Sequence, residues 1–324
     1  MKKSTKIWLI AAAALLAVGL ALCVAALASV DFDFAKLGTE GAYETKTCAF
    51  DADRLASAEV ISVSQDIRIV GSDEKAGTVE YPVGEKVGYE VSFSDGTLLV
   101  RHYDHRKWYE HIGLFFSFRD DAVVVYVPTD AVFALTCEST SGSIELSGFA
   151  GGRLFAKSTS GSIRITDLAP AALEARSTSG SVEAARLRVA EGDAVLAAVS
   201  GSVRLEDAEC AARLDMSSTS GGLRLTNVAC GGAGLRSTSG SVRFTRLRCE
   251  SLEAESVSGS IDGVLTGSAD DYRFTASSTS GSVAVPAGQS GGREVRLRTT
   301  SGSIDVRTED VRRSYSSLVI LRLK

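Results

Sequence analysis

The sequence predicts an all-β chain: a parallel β-solenoid of about 20-residue coils, preceded by one N-terminal transmembrane helix. Three observations predict it. A Ser-Gly phrase recurs nine times at near-constant spacing. Each copy is followed by alternating apolar and charged residues. One long apolar run without charge stands near the start of the 324-residue chain.

Composition narrows the function classes first. The chain is 44% hydrophobic and 23% charged, which suits a folded protein rather than a disordered one. With 31 Gly and only 4 Pro, glycine marks turns rather than low complexity. The net charge is −5 and no basic domain stands out, which argues against a nucleic-acid partner.

The N-terminus comes next. "MKKSTK" at 1–6 carries three Lys, and Ile7 to Val30 holds no charged side chain. A stretch of that length exceeds the apolar core of a signal peptide and suits a bilayer crossing. Lys before it and Asp31 and Asp33 after it orient 1–6 toward the cytoplasm and the rest outward. Cleavage after the small residues Ala26-Leu27-Ala28 is the other reading. Lipidation at Cys23 is disfavoured, because Leu22 precedes it where a small residue is needed.

Residues 31–56 are weakly patterned and read as a linker, and 57–136 as an N-terminal β cap or irregular coils. Within them "GYEVSFSDGTLLVRHY" places two β runs around Ser94-Asp95-Gly96, a hairpin signal. "AVVVYVPTD" is a short strand ended by Pro128. No segment after the anchor sustains helical periodicity.

Residues 137–324 carry the repeat, with "SSLVILRLK" expected to close the last sheet. The repeated glycines are Gly142, Gly161, Gly180, Gly201, Gly221, Gly240, Gly259, Gly281 and Gly302, each preceded by Ser. A fixed period near 20 residues marks a solenoid. Two residues after each Gly stands Ile, Val or Leu, and the next residue is charged in eight copies. That alternation is a strand with one face buried. Before the Gly, Leu173, Ala175 and Ser177 share one face, as do Leu252, Ala254 and Ser256, shrinking toward the corner. Each unit therefore reads as two short strands and two turns. Successive copies supply neighbouring parallel strands about 4.8 Å apart. The Gly is expected to adopt positive φ at the corner, with Ser hydroxyls bonding backbone groups left unpaired there.

The units "SGSIEL", "SGSIRI" and "SGSVRF", preceded by "VSQDIRI" and the Pro-ended "VVVYVP", resemble a bacterial family of putative adhesins of unknown function, the toast-rack domain. The resemblance covers about 58–308. It departs at Gln65-Asp66, which stand where later copies have Gly-Ser. It implies an envelope-associated β-solenoid and no known activity.

The search for chemistry finds no phosphate-binding loop, nucleophile elbow, zincin motif or calcium loop. His102, His105 and His111, with Asp104 and Glu110, are the residues to weigh for a metal. His102 and His105 fall on opposite faces of a continuing strand, so a polar hairpin rim is favoured and no metal or cofactor is assigned. Trp108, Tyr109, Phe115 and Phe116 read as a cap on the open end of the solenoid, a surface for a ligand or the membrane being the alternative. Cys210, Cys230 and Cys249 each lie nine residues after a repeat Gly and should stack in one column. They read as small buried fillers of a turn, one disulfide among them being the alternative. Pairing of Cys48 with Cys137 is open. The Thr column at Thr140, Thr159, Thr178, Thr219, Thr238, Thr279 and Thr300 lies beside charged residues, against an ice-binding face. Nine equivalent serines without a nearby His argue against a nucleophile, and units of 19 to 22 residues leave no room for the loops of a polysaccharide-active enzyme.

The expectation is a non-enzymatic, membrane-anchored extracytoplasmic rod of the cell envelope, acting as an adhesin-like binding or structural module. Its partners would be the membrane and an envelope protein or anionic wall polymer. The Arg204, Arg224 and Arg243 run is the expected polar contact column. The alternative is envelope-stress sensing through a membrane partner, since 1–6 cannot hold an output domain.

Overall fold

The computed structural model describes residues 44–310 apart from 85, 107–121 and 288–290, together with residues 12, 14–21 and 24 near the N-terminus. Residues 14–21 are helical. Among the described residues, no helix is long and apolar enough to cross a membrane. Most of the expected span at 7–30 lies outside them, as do His111, Glu110, Trp108, Tyr109, Phe115, Phe116 and the closing segment 316–324.

The repeats stack as parallel in-register layers. One wall of the rod is built from strands ending in an inward residue just before the corner. Ala134–Ser139 pairs with Arg153–Ser158, which pairs with Ala172–Ser177, which pairs with Ala194–Ala198. A second wall is built from the strands after the glycine, where Ile144, Ile163, Val182 and Val203 succeed one another. The middle layers carry a third short strand segment. Ala208, Val228 and Leu247 stack in register, followed by Cys210, Cys230 and Cys249. The expected two-strand unit is thus a three-segment coil in the middle of the rod. The third segment is only about three residues long, too short for its alternation to stand out from a turn.

The inward wedge expected from the alternation is present. Leu173, Ala175 and Ser177 are all buried, as are Leu252, Ala254 and Ser256. At Ser158, Ser177, Ser218, Ser237 and Ser256 the serine closing the wedge ties adjacent layers together. Ser177 donates to the Gly161 carbonyl at 2.9 Å and accepts from the Gly180 N–H at 3.0 Å. Ser237 does the same between Gly221 and Gly240, at 3.1 and 2.9 Å. Each hydroxyl thereby satisfies two buried backbone groups.

The glycines do stack in one column, but for another reason than expected. Positive φ occurs at Gly96, Gly148, Gly151 and Gly267 and at none of the nine repeat glycines. Their requirement is space: a Cβ on Gly161, Gly180 or Gly240 would overlap the carbonyl of the glycine in the preceding layer. Positive φ instead falls six residues later, at Gly148, Asp167, Arg186, Asp207, Asn227 and Arg246, where the second wall bends into the third segment.

Chain order and layer order differ at both ends. Gly302, not Gly281, packs on Gly259, and Gly281 packs beyond Gly302. Accordingly Arg293–Thr299 pairs with the strand holding Ser251–Ser256, and Tyr272–Ser278 lies outside it. At the other end Ser57–Ser62 pairs with both Ala134–Ser139 and Thr97–Asp104, placing the later Thr97–Asp104 outermost of the parallel layers. Gly142 packs against the Gln65 carbonyl, so Gln65-Asp66 forms a true corner, and Asp66 accepts from the Ser143 N–H at 2.7 Å. Counted this way, eleven layers stack among the described residues, about 48 Å of rod at the usual strand spacing.

The N-terminal end is finished by antiparallel strands. Gly77–Val83 pairs with Val123–Pro128, and Val87–Ser94 pairs with Thr97–Asp104 through the expected hairpin, with Asp95 and Gly96 at φ 49° and 75°. Glu44–Phe50, inside the segment read as linker, pairs with Gly77–Val83 and delivers Phe50 to the core against Phe93, ring centroids 5.5 Å apart.

Candidate functional site

The outward side chains form columns along the rod, because in-register parallel pairing repeats every position one layer on. Arg204, Arg224 and Arg243 are successive members of one column, all exposed. It continues to Glu183 on one side and Asp262 on the other. Arg204 faces Glu183 at 3.9 Å and Arg243 faces Asp262 at 3.6 Å. Arg224, between them, makes no ion pair with a described residue. The triad is therefore a cationic segment whose two ends are partly neutralised and whose centre is open.

Two shallow grooves flank this wall. One, about 690 Å³, follows the Ser-Gly corner between Lys157, Arg176, Arg236 and Arg298 on one side and the Thr178–Thr219–Thr238 column on the other. Arg176 and Arg236 are drawn to Glu174 and Glu253, at 2.5 and 2.7 Å. The other, about 640 Å³, follows the positive-φ corner. There Arg186 makes two hydrogen bonds to Asp167, 2.5 and 2.6 Å, and Asn227 donates to Asp207 at 2.7 Å. The Arg186 guanidinium holds the Asp167 carboxyl below its ordinary value. Sequence reading passed over this ladder. Its signal was present: the sixth residue after each of these glycines is Gly, Asp, Asn or Arg, and Asp and Asn tolerate positive φ better than other side chains.

Cys210, Cys230 and Cys249 do stack, as free thiols in a strand segment rather than a turn. Burial, with the neighbouring Cys230, pushes the Cys210 thiol up to about 12. A hydrogen bond with Cys249, then burial, raises Cys230 further. Thiols held in the protonated form are poor nucleophiles and poor metal ligands. Cys48 and Cys137 are also free. Among the described residues no three His, Cys, Asp or Glu side chains gather as a metal site. His102 packs edge-on against the buried Tyr89 ring, centroids 5.4 Å apart, and burial lowers its pKa. His105 stacks on Tyr103 instead, centroids 5.1 Å apart.

Positions repeat from layer to layer while the side chains on them vary. The arrangement suits contact at many equivalent points.

The chain is similar to several solved structures. A "putative adhesin" of Bacteroides fragilis is 14% identical over 84% of this chain and all of its own, with a TM-score of 0.43. A "putative adhesin" of Parabacteroides distasonis is 15% identical over 82% of this chain and 97% of its own, with a TM-score of 0.49. A "putative lipid binding protein" of the same organism is 15% identical over 82% and 97%, at 0.41. No curated protein matches the chain. The family described as Toastrack DUF4097 matches residues 58–307, from the strand Ser57–Ser62 into the strand Ile304–Glu309, and the chain belongs to that family.

Proposed function

We propose that this chain is a membrane-tethered, extracytoplasmic rod of the cell envelope that acts by binding, not catalysis, and that the Arg204–Arg224–Arg243 column contacts an anionic wall polymer. The observation that carries the reading is the in-register repetition itself. Three exposed arginines one layer apart, the central one without an ion-pair partner among the described residues, face a linear polyanion with regularly spaced positive charge. The charge-free run at 7–30 supports a tether, and a cap at the end nearer the N-terminus would let the rod stand off the bilayer.

Two measurements test this. Thr39→Cys is labelled with a membrane-impermeant thiol reagent in whole cells and after lysis. Labelling in intact cells is expected; labelling only after lysis overturns the envelope location. Cosedimentation of the chain with isolated anionic wall polymer is expected at low salt, to weaken as salt rises, and to fall several-fold in Arg224→Glu. Binding indifferent to salt and to Arg224→Glu overturns the contact, and turnover of the polymer overturns the non-enzymatic reading.

A further inference from the structure

The two ends of the rod are finished differently. At the N-terminal end both walls are closed by antiparallel strands, as described above. At the C-terminal end the outermost strands, Tyr272–Ser278 and Val283–Ala284, each pair with a described strand on one side only. The exposure of the core follows. Ile261 and Ile304, the two residues beneath Val283 in its column, are 0% exposed, whereas Val283 is 43% exposed. Phe274, Ala276 and Val285 are only partly buried, while Leu297 directly beneath Ala276 is 1% exposed. An apolar end whose strand edges have no partner among the described residues invites association unless something covers it.

The chain contains a segment whose sequence fits. The post-glycine wall is written apolar-Arg-apolar in Ile163-Arg164-Ile165, Val203-Arg204-Leu205, Leu223-Arg224-Leu225 and Val242-Arg243-Phe244. The same phrase recurs once beyond the last described residue, as Leu321-Arg322-Leu323, inside "SLVILRLK". No Ser-Gly corner precedes it in the sequence. Its connection is long enough. Glu309 ends the strand Ile304–Glu309, one layer below the open end. The eleven residues 310–320 reach up to about 36 Å, and returning along a six-residue strand needs about 20 Å.

We propose that the open C-terminal end is the docking surface for the chain's own residues 321–323. They add to the free edge of Val283–Ala284, with Leu321 and Leu323 over Val283 and Val285 and Arg322 extending the outward column. This covers the exposed valines and removes the free edge, matching what the antiparallel strands do at the other end.

Hydrogen exchange tests it on the full chain and on a chain ending at Asp310. In the full chain, amides of 274–285 are expected to exchange about tenfold or more slowly than in the shortened chain. A synthetic peptide of residues 316–324 added to the shortened chain is expected to restore the protection. Leu321→Asp with Leu323→Asp is expected to reproduce the shortened chain without loss of the remaining layers. Equal exchange in the full and shortened chains overturns the proposal. So does protection that depends on protein concentration, with a full-chain dimer in sedimentation that Val283→Lys dissociates, because a second copy would then be the cover.

Discussion

Gly240 packs so closely on Gly221 that a Cβ on Gly240 would overlap the Gly221 carbonyl oxygen. The same relation runs down the column, layer on layer. Replacing Gly240 with Ala must push two layers apart or break the corner, at a cost of about 1–3 kcal/mol, the range of overpacked cores. Arg243→Ala, in the outward column one strand position beyond Val242, removes only an exposed pair with Asp262 and is expected to cost less than about 0.5 kcal/mol. Urea melts of the two variants check the register; equal losses would contradict it.

The serine ladder makes a three-way prediction. Ser237→Ala leaves the Gly240 N–H and the Gly221 carbonyl without their hydroxyl and is expected to destabilise by about 1–3 kcal/mol. Ala198 occupies the ladder position between Ser177 and Ser218. Ala198→Ser restores the missing rung and is expected to stabilise by about 0.5–1.5 kcal/mol. The buried Ser139 hydroxyl has no hydrogen-bond partner among the described residues, so Ser139→Ala is expected to be neutral or stabilising. Thermal melts that rank the three in another order would refute the ladder's role.

The bend between the second wall and the third segment holds Asn227 at φ 55°. Asn227→Gly keeps that conformation available and loses one exposed hydrogen bond to Asp207, so melting should be nearly unchanged. Asn227→Val forces a β-branched residue into the left-handed region, at about 1–3 kcal/mol. Similar melting of the two variants would show that the bend is not strained.

Alkaline pH should loosen the rod. Burial keeps the Cys210 thiol protonated up to about 12 and the Tyr89 phenol likewise, the latter against a weaker opposing hydrogen bond from Ser62. In the unfolded chain these groups ionise near their ordinary values of about 8.5 and 10. The unfolded state therefore loses protons first. Stability is full below about pH 8.5 and falls as pH rises toward 12. Cys210→Val, which matches the Val189 stacked beneath it, should flatten the decline of melting temperature between about pH 8.5 and 10. An identical slope in the variant would count against a protonated buried thiol.

The apolar run at 7–30, the 20-residue period, the parallel layers, the inward Leu-Ala-Ser wedge and the stacking of Arg204, Arg224 and Arg243 were legible in the sequence. Each follows from local alternation and from a repeat that places equivalent residues one layer apart. Tertiary structure decided the rest. The repeat glycines serve close backbone approach between layers, a contact between residues about 20 apart that no local φ preference reveals. The third wall segment emerged only where three short stretches stacked. Most of all, the order of the outer layers is independent of the order of the repeats. Gly281 and Gly302 carry the same phrase, and strands of the same sequence pair equally well with either neighbour. Only the packing of whole coils selects which one lies next to Gly259 and which one forms the open end.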